Sequence, residues 1–236
     1  MPSAKVSNPV FARAFPAMSR AMEAGGMAAR RKALLAGLAG QVIDVGAGTG
    51  ASFGSYPAIV ARVIAVEPEP RLRRLATAAA RPGPVPVEVI DGVASALPLG
   101  DASFDAVVVC GVLCTVPDQD VALAEISRVL RPGGRLCFLE HVRADSARLS
   151  RTQRVLDATV WPHLFGGCHL GRDTAAAIER AGFTISGLER FLFPRHPDPG
   201  LLLYRWPGHL TRQLARAADA WGAFDALCPG ACWPGG

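Results

Sequence analysis

The segment from Val42 to Gly50 constrains the fold of this chain more than any other, because a short apolar run there leads directly into three closely spaced glycines. Val42, Ile43 and Val45 are typical of a strand that is buried on both faces. The glycines permit positive φ and a close approach of the backbone to a ligand. The segment therefore predicts a buried parallel strand that opens into a ligand-binding loop at its carboxyl end.

Strands and helices alternate through the following hundred residues. Apolar runs predict further strands at 62–66, 85–90, 104–110 and 135–139, and helices are expected over 69–81 and after Asp118, a helix-capping residue. Such alternation requires a mainly parallel sheet. We expect a Rossmann-like α/β fold with a mainly parallel seven-stranded sheet, helices on both faces, N-terminal helices and a C-terminal helical tail.

The two ends of the chain are expected to be appendages to this core. Helical spacing predicts two helices before the first strand, within 10–18 and 22–38, and Phe11, Phe15 and Met18 either line a pocket or form a core-facing stripe. Strands are expected at 183–193 and, reversed, at 201–204, and a helix is expected from about Leu210 to Ala226. The predicted organisation is a helical cap (1–40), a cofactor-binding core (41–205) and a helical, partly mobile tail (206–236).

Two acids accompany the glycine loop. Asp44 ends the first strand, where an anion suits a cationic ligand better than a pyrophosphate. Glu67 follows the loop at the separation expected for a carboxylate that binds ribose hydroxyls, although a solvated strand-end acid is the simpler alternative. The acids and the loop together predict a nucleoside cofactor. Gly46, Gly48 and Ala51 also fit the dinucleotide fingerprint, so the spacing leaves NAD open.

Four motifs in order resemble the class I methyltransferases that use S-adenosylmethionine. They are Val42–Gly50, Val66-Glu67-Pro68, the segment from Ala96 to Val108, and Arg128–Leu136. The resemblance covers residues 30 to 142 and implies that Asp44 and the glycine loop hold the methionine end of the cofactor, while Glu67 holds the ribose. The cofactor-binding residues that we expect are Asp44, Gly46, Ala47, Gly48, Thr49, Gly50, Glu67, Pro68, Val93, Ala94, Cys110 and Gly111.

The expected adenine site departs from the family pattern. Many class I enzymes carry an acid at the position of Val93 to accept the adenine amino group, and this chain does not. Adenine recognition is then expected from backbone groups around Val93 and Ala94, with apolar walls from Pro68 and Leu97. Asp91 is out of register for this role.

A closer resemblance extends to the branch that contains the thiol methyltransferases of the methyltransferase-like family and their bacterial relatives. It covers residues 8 to 193 and rests on 112–117, 138–143 and 166–173. It implies methyl transfer to a small, fairly apolar acceptor; a thiol is favoured, and an amine or hydroxyl of a natural product or lipid is an alternative. Two rival hypotheses are a non-catalytic cofactor-binding module that acts through a partner and an NAD-dependent oxidoreductase.

Two histidines are the candidates for catalysis. A sulfonium methyl group is already activated, so a nearby base or positive charge is needed only to favour an unprotonated thiol. His141 lies just past the fifth strand, and it either serves this role or satisfies local backbone or Glu140. His169 either catalyses or forms structural hydrogen bonds in its glycine loop. No metal is expected, because Cys168 and His169 have too few companions at ligand spacing.

Composition limits the partners of the chain. The net charge of +5 comes mostly from arginines that are spread along the sequence, which argues against nucleic acid and leaves only weak attraction to anionic lipid or acidic partners. The six cysteines lack a paired C-x-x-C arrangement, so reduced thiols are expected, with Cys228 and Cys232 either paired or exposed. No signal-peptide or membrane-spanning pattern is evident, and a cytoplasmic location is expected. The oligomeric state is not predicted.

Overall fold

Five parallel strands form the centre of the computed structural model, which describes residues 8–81, 83, 85–192 and 209–217. Their order in the sheet is β3-β2-β1-β4-β5. The chain moves outward in one direction from β1 and then returns to place β4 on the other side of β1. Ligands of open α/β sheets bind at the carboxyl ends of the strands where the order reverses. The strands are β1 (Gly40–Val45), β2 (Val60–Val66), β3 (Val87–Ile90), β4 (Phe104–Cys110) and β5 (Leu130–Val142).

The helices begin where the sequence supplies caps. Asp118 accepts hydrogen bonds from the backbone N–H groups of Asp120 and Val121, and Glu69 caps the helix after β2 in the same way through Leu72. The N-terminal helices are α1 (Pro9–Met22) and α2 (Ala28–Leu35), joined by a π-helical turn at Glu23–Met27. The others are α3 (Pro70–Ala80), α4 (Gln119–Val129), α5 (Ala147–Ala158), α6 (Trp161–Leu164) and α7 (Thr174–Arg180).

Apolar residues cover both faces of the parallel sheet, as the continuous apolar runs predict. On one face, Ile43 and Val45 of β1 join a buried cluster that includes residues of α4 and α7. On the other face, Val42 joins a cluster that includes residues of α2 and α3. Within the described residues, no helix is both long and apolar enough to cross a bilayer.

The chain after α7 differs from the prediction. Phe183–Leu192 (β6) is extended as expected, and it pairs antiparallel with His209–Ala217 (β7), which also pairs antiparallel with β5. The helix predicted from Leu210 is therefore wrong over 210–217. Periodicity of the side chains favoured a helix, but the far edge of β5 offers backbone partners that only an extended segment can satisfy. The strand predicted at 201–204 and the rest of the tail lie outside the described residues.

Candidate active site

The loops after β1 and β4 meet at the point where the strand order reverses. Gly46 has a φ of +68°, and a Cβ at this position would lie 2.5 Å from Val112 Cγ2, so only glycine permits this contact. Gly111, directly after β4, also has positive φ, but apart from its two chain neighbours no residue lies within 4 Å of where its Cβ would stand. The backbone at Gly46 thus packs directly against Val112, whereas open space for a ligand remains beside Gly111.

Glu67 is tied to the glycine loop. Its carboxylate accepts hydrogen bonds from the backbone N–H groups of Gly48, at 2.7 Å, and Glu69, at 2.9 Å. Burial raises the pKa of Glu67 to about 7, although these two bonds oppose the change. The carboxylate is therefore fixed in direction at the sheet edge, and its other lone pairs remain for ribose hydroxyls.

Asp44 is fully buried beneath the glycine loop. The Tyr56 hydroxyl donates a 2.9 Å hydrogen bond to Asp44 Oδ2. Burial raises the pKa of Asp44 to about 6, while Tyr56 and the nearby Arg31 lower it. The buried Arg31 donates to Glu23 Oε1 at 2.6 Å and to Ser52 Oγ at 3.4 Å. Asp44 thus lies in a network of opposite charges and is ionised at neutral pH, as a cationic amino group requires.

The backbone after the glycine loop discriminates between the two cofactors that the spacing left open. Dinucleotide sites place the pyrophosphate at the N-terminus of a helix that begins in the loop. Here residues 46–59 form turns and one short 3₁₀ turn, Phe53–Ser55, and contain no α-helix. The segment therefore lacks the helix terminus that a pyrophosphate needs, and NAD fits it poorly.

The residues expected around adenine lie next to the same edge. Val93 forms an isolated bridge with Ala96, Ala94 is buried, and the Leu97 side chain is buried as an apolar wall requires. Asp91 forms an ion pair with Arg73 at 2.8 Å on the exposed side. The same Arg73 guanidinium donates to the Glu67 and Pro68 carbonyls, so the Asp91 carboxylate is engaged at the end of β2.

Helix α1 lies across the crevice through two aromatic rings. The Phe15 ring lies against Gly48, where a Cβ would be 3.0 Å from the ring, and Phe11 lies against Gly166 at the same distance. The two rings are 5.1 Å apart between centroids. Both side chains are half-buried, as is Met18. Phe11 and Phe15 therefore connect the glycine loop after β1 with residues 165–173 between α6 and α7, here called the Gly166 loop. Their role as pocket-lining residues stays a prediction.

A buried carboxylate organises the loop after β4. Glu140, at the end of β5, accepts hydrogen bonds from the backbone N–H groups of Val112, Leu113 and Cys114 at 2.8–3.0 Å. Burial raises the pKa of Glu140 above its usual value, although these three hydrogen bonds act to lower it. The side chain of Glu140 thus fixes the loop that carries Cys114, next to His141.

His141 lies between two sulfur atoms. Its Nδ1 is 3.4 Å from Cys168 Sγ and 3.6 Å from Cys114 Sγ, and the two Sγ atoms are 3.6 Å apart. Interaction with Cys114 and with His141 lowers the pKa of Cys168 to about 5, and interaction with Cys168 raises the pKa of His141 although burial opposes it. The pKa of Cys114 is raised, first by its coupling to Cys168 and then by burial. The three residues form one polar cluster beside an apolar wall that includes Trp161 and Leu170.

His169 is placed differently from His141. Its backbone N–H donates to the Cys114 carbonyl at 2.8 Å, which ties the Gly166 loop to the loop after β4. Within the described chain, the group of candidate metal ligands contains Cys114, His141 and Cys168 and not His169. This backbone contact does not involve the imidazole of His169, so both predictions for that side chain stay open, whereas the His141 side chain meets the two cysteines.

Several residues of this region were not identified from the sequence. Tyr56, Arg31 and Glu140 act on the site through contacts with residues distant in the chain. Asp157 of α5 accepts the backbone N–H groups of Leu170 and Gly171, which fixes the end of the Gly166 loop. No local motif marks Tyr56, Arg31 or Asp157. Glu140 lies within the 138–143 motif, but the sequence suggested it only as a partner of His141.

Sequence comparisons agree with this geometry. A family profile described as "Methyltransferase domain" matches residues 43–138. The chain is 38% identical over 157 residues to the thiol S-methyltransferase TMT1A of Homo sapiens, a match that covers 65% of this chain and 64% of that protein. Curated relatives of this kind are thus matched over slightly less than two thirds of their own length.

Solved structures share the fold at low identity. A SAM-dependent methyltransferase from Thermotoga maritima matches with a TM-score of 0.63 and 21% identity, covering 89% of this chain and 99% of that one. The [4+2]-cyclase SpnF matches with a TM-score of 0.65 and 19% identity, covering 84% and 82%. Such likeness shows the fold alone, because one fold can host different reactions.

The family match, the glycine loop at the reversal of strand order and the acid that follows β2 lead to the same assignment. The chain carries a class I S-adenosylmethionine-dependent methyltransferase domain.

Proposed function

We propose that this protein transfers a methyl group from S-adenosylmethionine to a small, fairly apolar acceptor, with a thiol as the favoured class. We infer a small, apolar acceptor from the adjacent rings of Phe11 and Phe15, which lie against Gly166 and Gly48 respectively. Two aromatic walls suit an apolar molecule better than a charged one. The names of the thiol S-methyltransferase relatives support the thiol.

The cofactor is held by residues on three strand ends in this proposal. Asp44 binds the amino group of the methionine part, Glu67 binds the ribose hydroxyls, and Gly111 leaves the space that the ligand fills. Backbone groups of 46–50, Cys110, Val93 and Ala94, with Pro68, complete the set. Bound S-adenosylmethionine supplies a methyl group that its sulfonium centre already activates.

The protein then has three tasks, which are to align the acceptor, exclude water and favour the thiolate. Phe11 and Phe15 exclude water from the crevice. His141, at the carboxyl end of β5, takes the proton from the thiol of the methyl acceptor, or its positive charge stabilises the thiolate. The thiolate lone pair forms the new S–C bond as the sulfonium C–S bond breaks, and the freed electron pair stays on the leaving sulfur. His169 contributes by holding the Gly166 loop to Cys114.

The thiol assignment is tested with acceptors that share one carbon skeleton and differ only in their reacting group. Purified protein is mixed with methyl-labelled cofactor and a short alkanethiol, the matching alkylamine or the matching alcohol. The proposal expects labelled thioether at a rate at least tenfold above the other two products. Tight binding of S-adenosylhomocysteine with transfer to the amine or alcohol alone would remove the thiol. Binding without transfer to any acceptor would favour the non-catalytic module.

We also propose the organisation of the whole chain. Residues 1–40 act as a helical cap and 41–205 form the cofactor-binding core. The segment 206–236, expected from the sequence to be a separate tail, contributes the strand 209–217 to the sheet. The pairing of 209–217 with β5 and β6 supports the expected sheet of seven strands. A reducing, cytoplasmic setting is supported by the lack of a paired C-x-x-C arrangement among the six cysteines.

A further inference from the structure

Three side chains from three separate elements converge beside the proposed acceptor pocket. Cys114 lies in the loop after β4, His141 lies in β5, and Cys168 lies in the Gly166 loop; their ligand atoms all lie within 4.8 Å of one another. Both cysteines are buried, and His141 is partly exposed. Such a set is small enough to surround a single ion.

The distances within this cluster match a tetrahedral zinc centre. With Zn–S bonds of about 2.3 Å and Zn–N bonds of about 2.0–2.1 Å, tetrahedral angles place two sulfurs about 3.8 Å apart and a sulfur about 3.5 Å from a nitrogen. The observed separations are 3.6 Å between the sulfurs and 3.4 and 3.6 Å from sulfur to Nδ1. We propose that Cys114, His141 and Cys168 form a Zn²⁺ site with one open coordination position.

Neighbouring contacts hold the backbone at the two cysteine ligands in place before any ion binds. The Cys114 N–H donates to Glu140 Oε2 at 3.0 Å, and the Cys114 carbonyl accepts from the His169 N–H at 2.8 Å. Asp157 fixes the chain just after Cys168 through Leu170 and Gly171. Ligands that are already oriented lose little entropy on metal binding.

An open fourth position distinguishes a reactive zinc site from a structural one, which has four protein ligands. The role of this position rests on the proposed function: the acceptor thiol binds there as a thiolate and releases its proton to solvent. The zinc-bound sulfur lone pair then forms the bond to the methyl carbon while the sulfonium C–S bond breaks. The resulting thioether is neutral and leaves the metal. A metal-bound Nδ1 prevents His141 from acting as a base, so the ion would replace that role.

Cobalt binding tests the site directly. The full chain is purified with a chelator and a phosphine reductant, freed of the chelator and titrated with Co²⁺ and then Zn²⁺. One Co²⁺ per chain should bind with a thiolate-to-metal charge-transfer band, and Zn²⁺ should displace it. Cys114→Ser, Cys168→Ser and His141→Ala should each weaken Zn²⁺ binding at least tenfold, whereas Cys137→Ala and His169→Ala should not.

Binding of S-adenosylhomocysteine shows which variants are folded. Because His141 is partly exposed, His141→Ala should leave the core folded. The Co²⁺ spectrum of the wild-type protein tests the site without any substitution. A wild-type protein without the charge-transfer band, or His141→Ala that binds Zn²⁺ as tightly as wild type, would overturn the site.

Turnover then separates the metal role from the proposed function. Thiol methylation that falls at least tenfold on chelation and returns with Zn²⁺ supports the acceptor-binding position. Methylation that is unchanged by chelation would overturn that position while the proposed function stands. Stoichiometric metal with no thiol methylation would remove the thiol from the proposed function and leave the metal site itself established.

Discussion

The backbone N–H of Gly48 donates a 2.7 Å hydrogen bond to Glu67 Oε2, which links the loop after β1 directly to the acid after β2. The same acid that is proposed to bind ribose also sets the shape of the loop proposed to bind the methionine part. Changes at Glu67 should therefore affect cofactor affinity through both contacts.

Cofactor affinity should rise with pH through neutrality. The pKa of Glu67 is raised to about 7 by burial, and only the carboxylate accepts hydrogen bonds from both ribose hydroxyls. Between pH 6 and pH 8 the ionised fraction rises roughly tenfold, and we expect a similar gain in affinity for S-adenosylhomocysteine. Calorimetric titrations at several pH values measure this gain.

Two variants complete this experiment. Glu67→Gln should weaken binding about 10- to 100-fold at pH 8 and flatten the pH dependence near 7, since a hydrogen bond to a charged group contributes about 1.5–3 kcal/mol. Glu88→Gln, an exposed acid on β3, is the control and should behave as wild type. A wild-type affinity that is constant from pH 6 to 8 would contradict the proposed role of Glu67.

Asp44→Asn should make the cofactor-free protein more stable at high pH. Burial raises the pKa of Asp44 from 3.8 to about 6, so the folded state prefers the protonated acid. That contribution to stability is full below pH 4 and is lost as pH rises through 6. The loss corresponds to about 3 kcal/mol. Urea unfolding should show Asp44→Asn gaining on wild type between pH 4.5 and 8, while its cofactor affinity falls.

Asp105 provides the opposite sign for comparison. Its hydrogen bonds from the Gln41 N–H and from Arg131 lower its pKa, although burial opposes them. A group whose pKa is lowered on folding stabilises the fold at pH values above its pKa in the unfolded state. This stabilisation is lost as pH falls through the lowered pKa. Asp105→Asn should therefore destabilise the protein at pH 7 and do so less at pH 4. If Asp44→Asn and Asp105→Asn both stabilised the protein at pH 7, burial of the Asp44 charge would not explain the gain in the Asp44 variant.

The parts of this molecule that sequence could predict are those set by local pattern. The apolar run before Gly46 and the cap at Asp118 depend on neighbours in the chain, and both elements formed where they were expected. The loop glycines and Glu67 also lie at local spacing. The helix predicted from Leu210 was wrong because residues 210–216 pair with β5, a strand more than sixty residues earlier in the chain.

The cysteine and histidine cluster could not be predicted in this way. Cys114 and Cys168 are each 27 residues from His141 and lie on different elements, so no ligand-like spacing appears in the sequence. Cys168 was considered with its neighbour His169, but the turn at Gly166 and Gly167, both at positive φ, directs the chain so that Cys168 meets His141. Only the order of strands in the sheet brings β4 and β5 side by side.

The two aromatic residues of α1 should have separable effects. Phe15 covers Gly48 in the cofactor loop, whereas Phe11 covers Gly166 in the proposed acceptor loop. Phe15→Ala should mainly weaken S-adenosylhomocysteine binding, by about tenfold, and Phe11→Ala should mainly raise KM for an alkanethiol, since each loses one half-buried aromatic contact. Val10→Ala, at an exposed position of the same helix, should change neither. Identical losses in both variants would indicate a general disturbance of α1.

His141 and His169 should differ in their response to the pKa of the acceptor. If His141 favours the thiolate, directly or through an ion bound beside it, its loss matters most for thiols that are protonated at neutral pH. His141→Ala should slow methylation of an alkanethiol about 100-fold, as is usual for loss of a group that assists proton transfer, and slow an ionised aromatic thiol far less. His169→Ala should affect both acceptors equally, because its backbone contact with Cys114 remains. Rates measured with saturating cofactor, together with unchanged S-adenosylhomocysteine binding, would assign the difference to the acceptor step. If His141→Ala slowed both thiols to the same extent, His141 would act by position and not by favouring the thiolate.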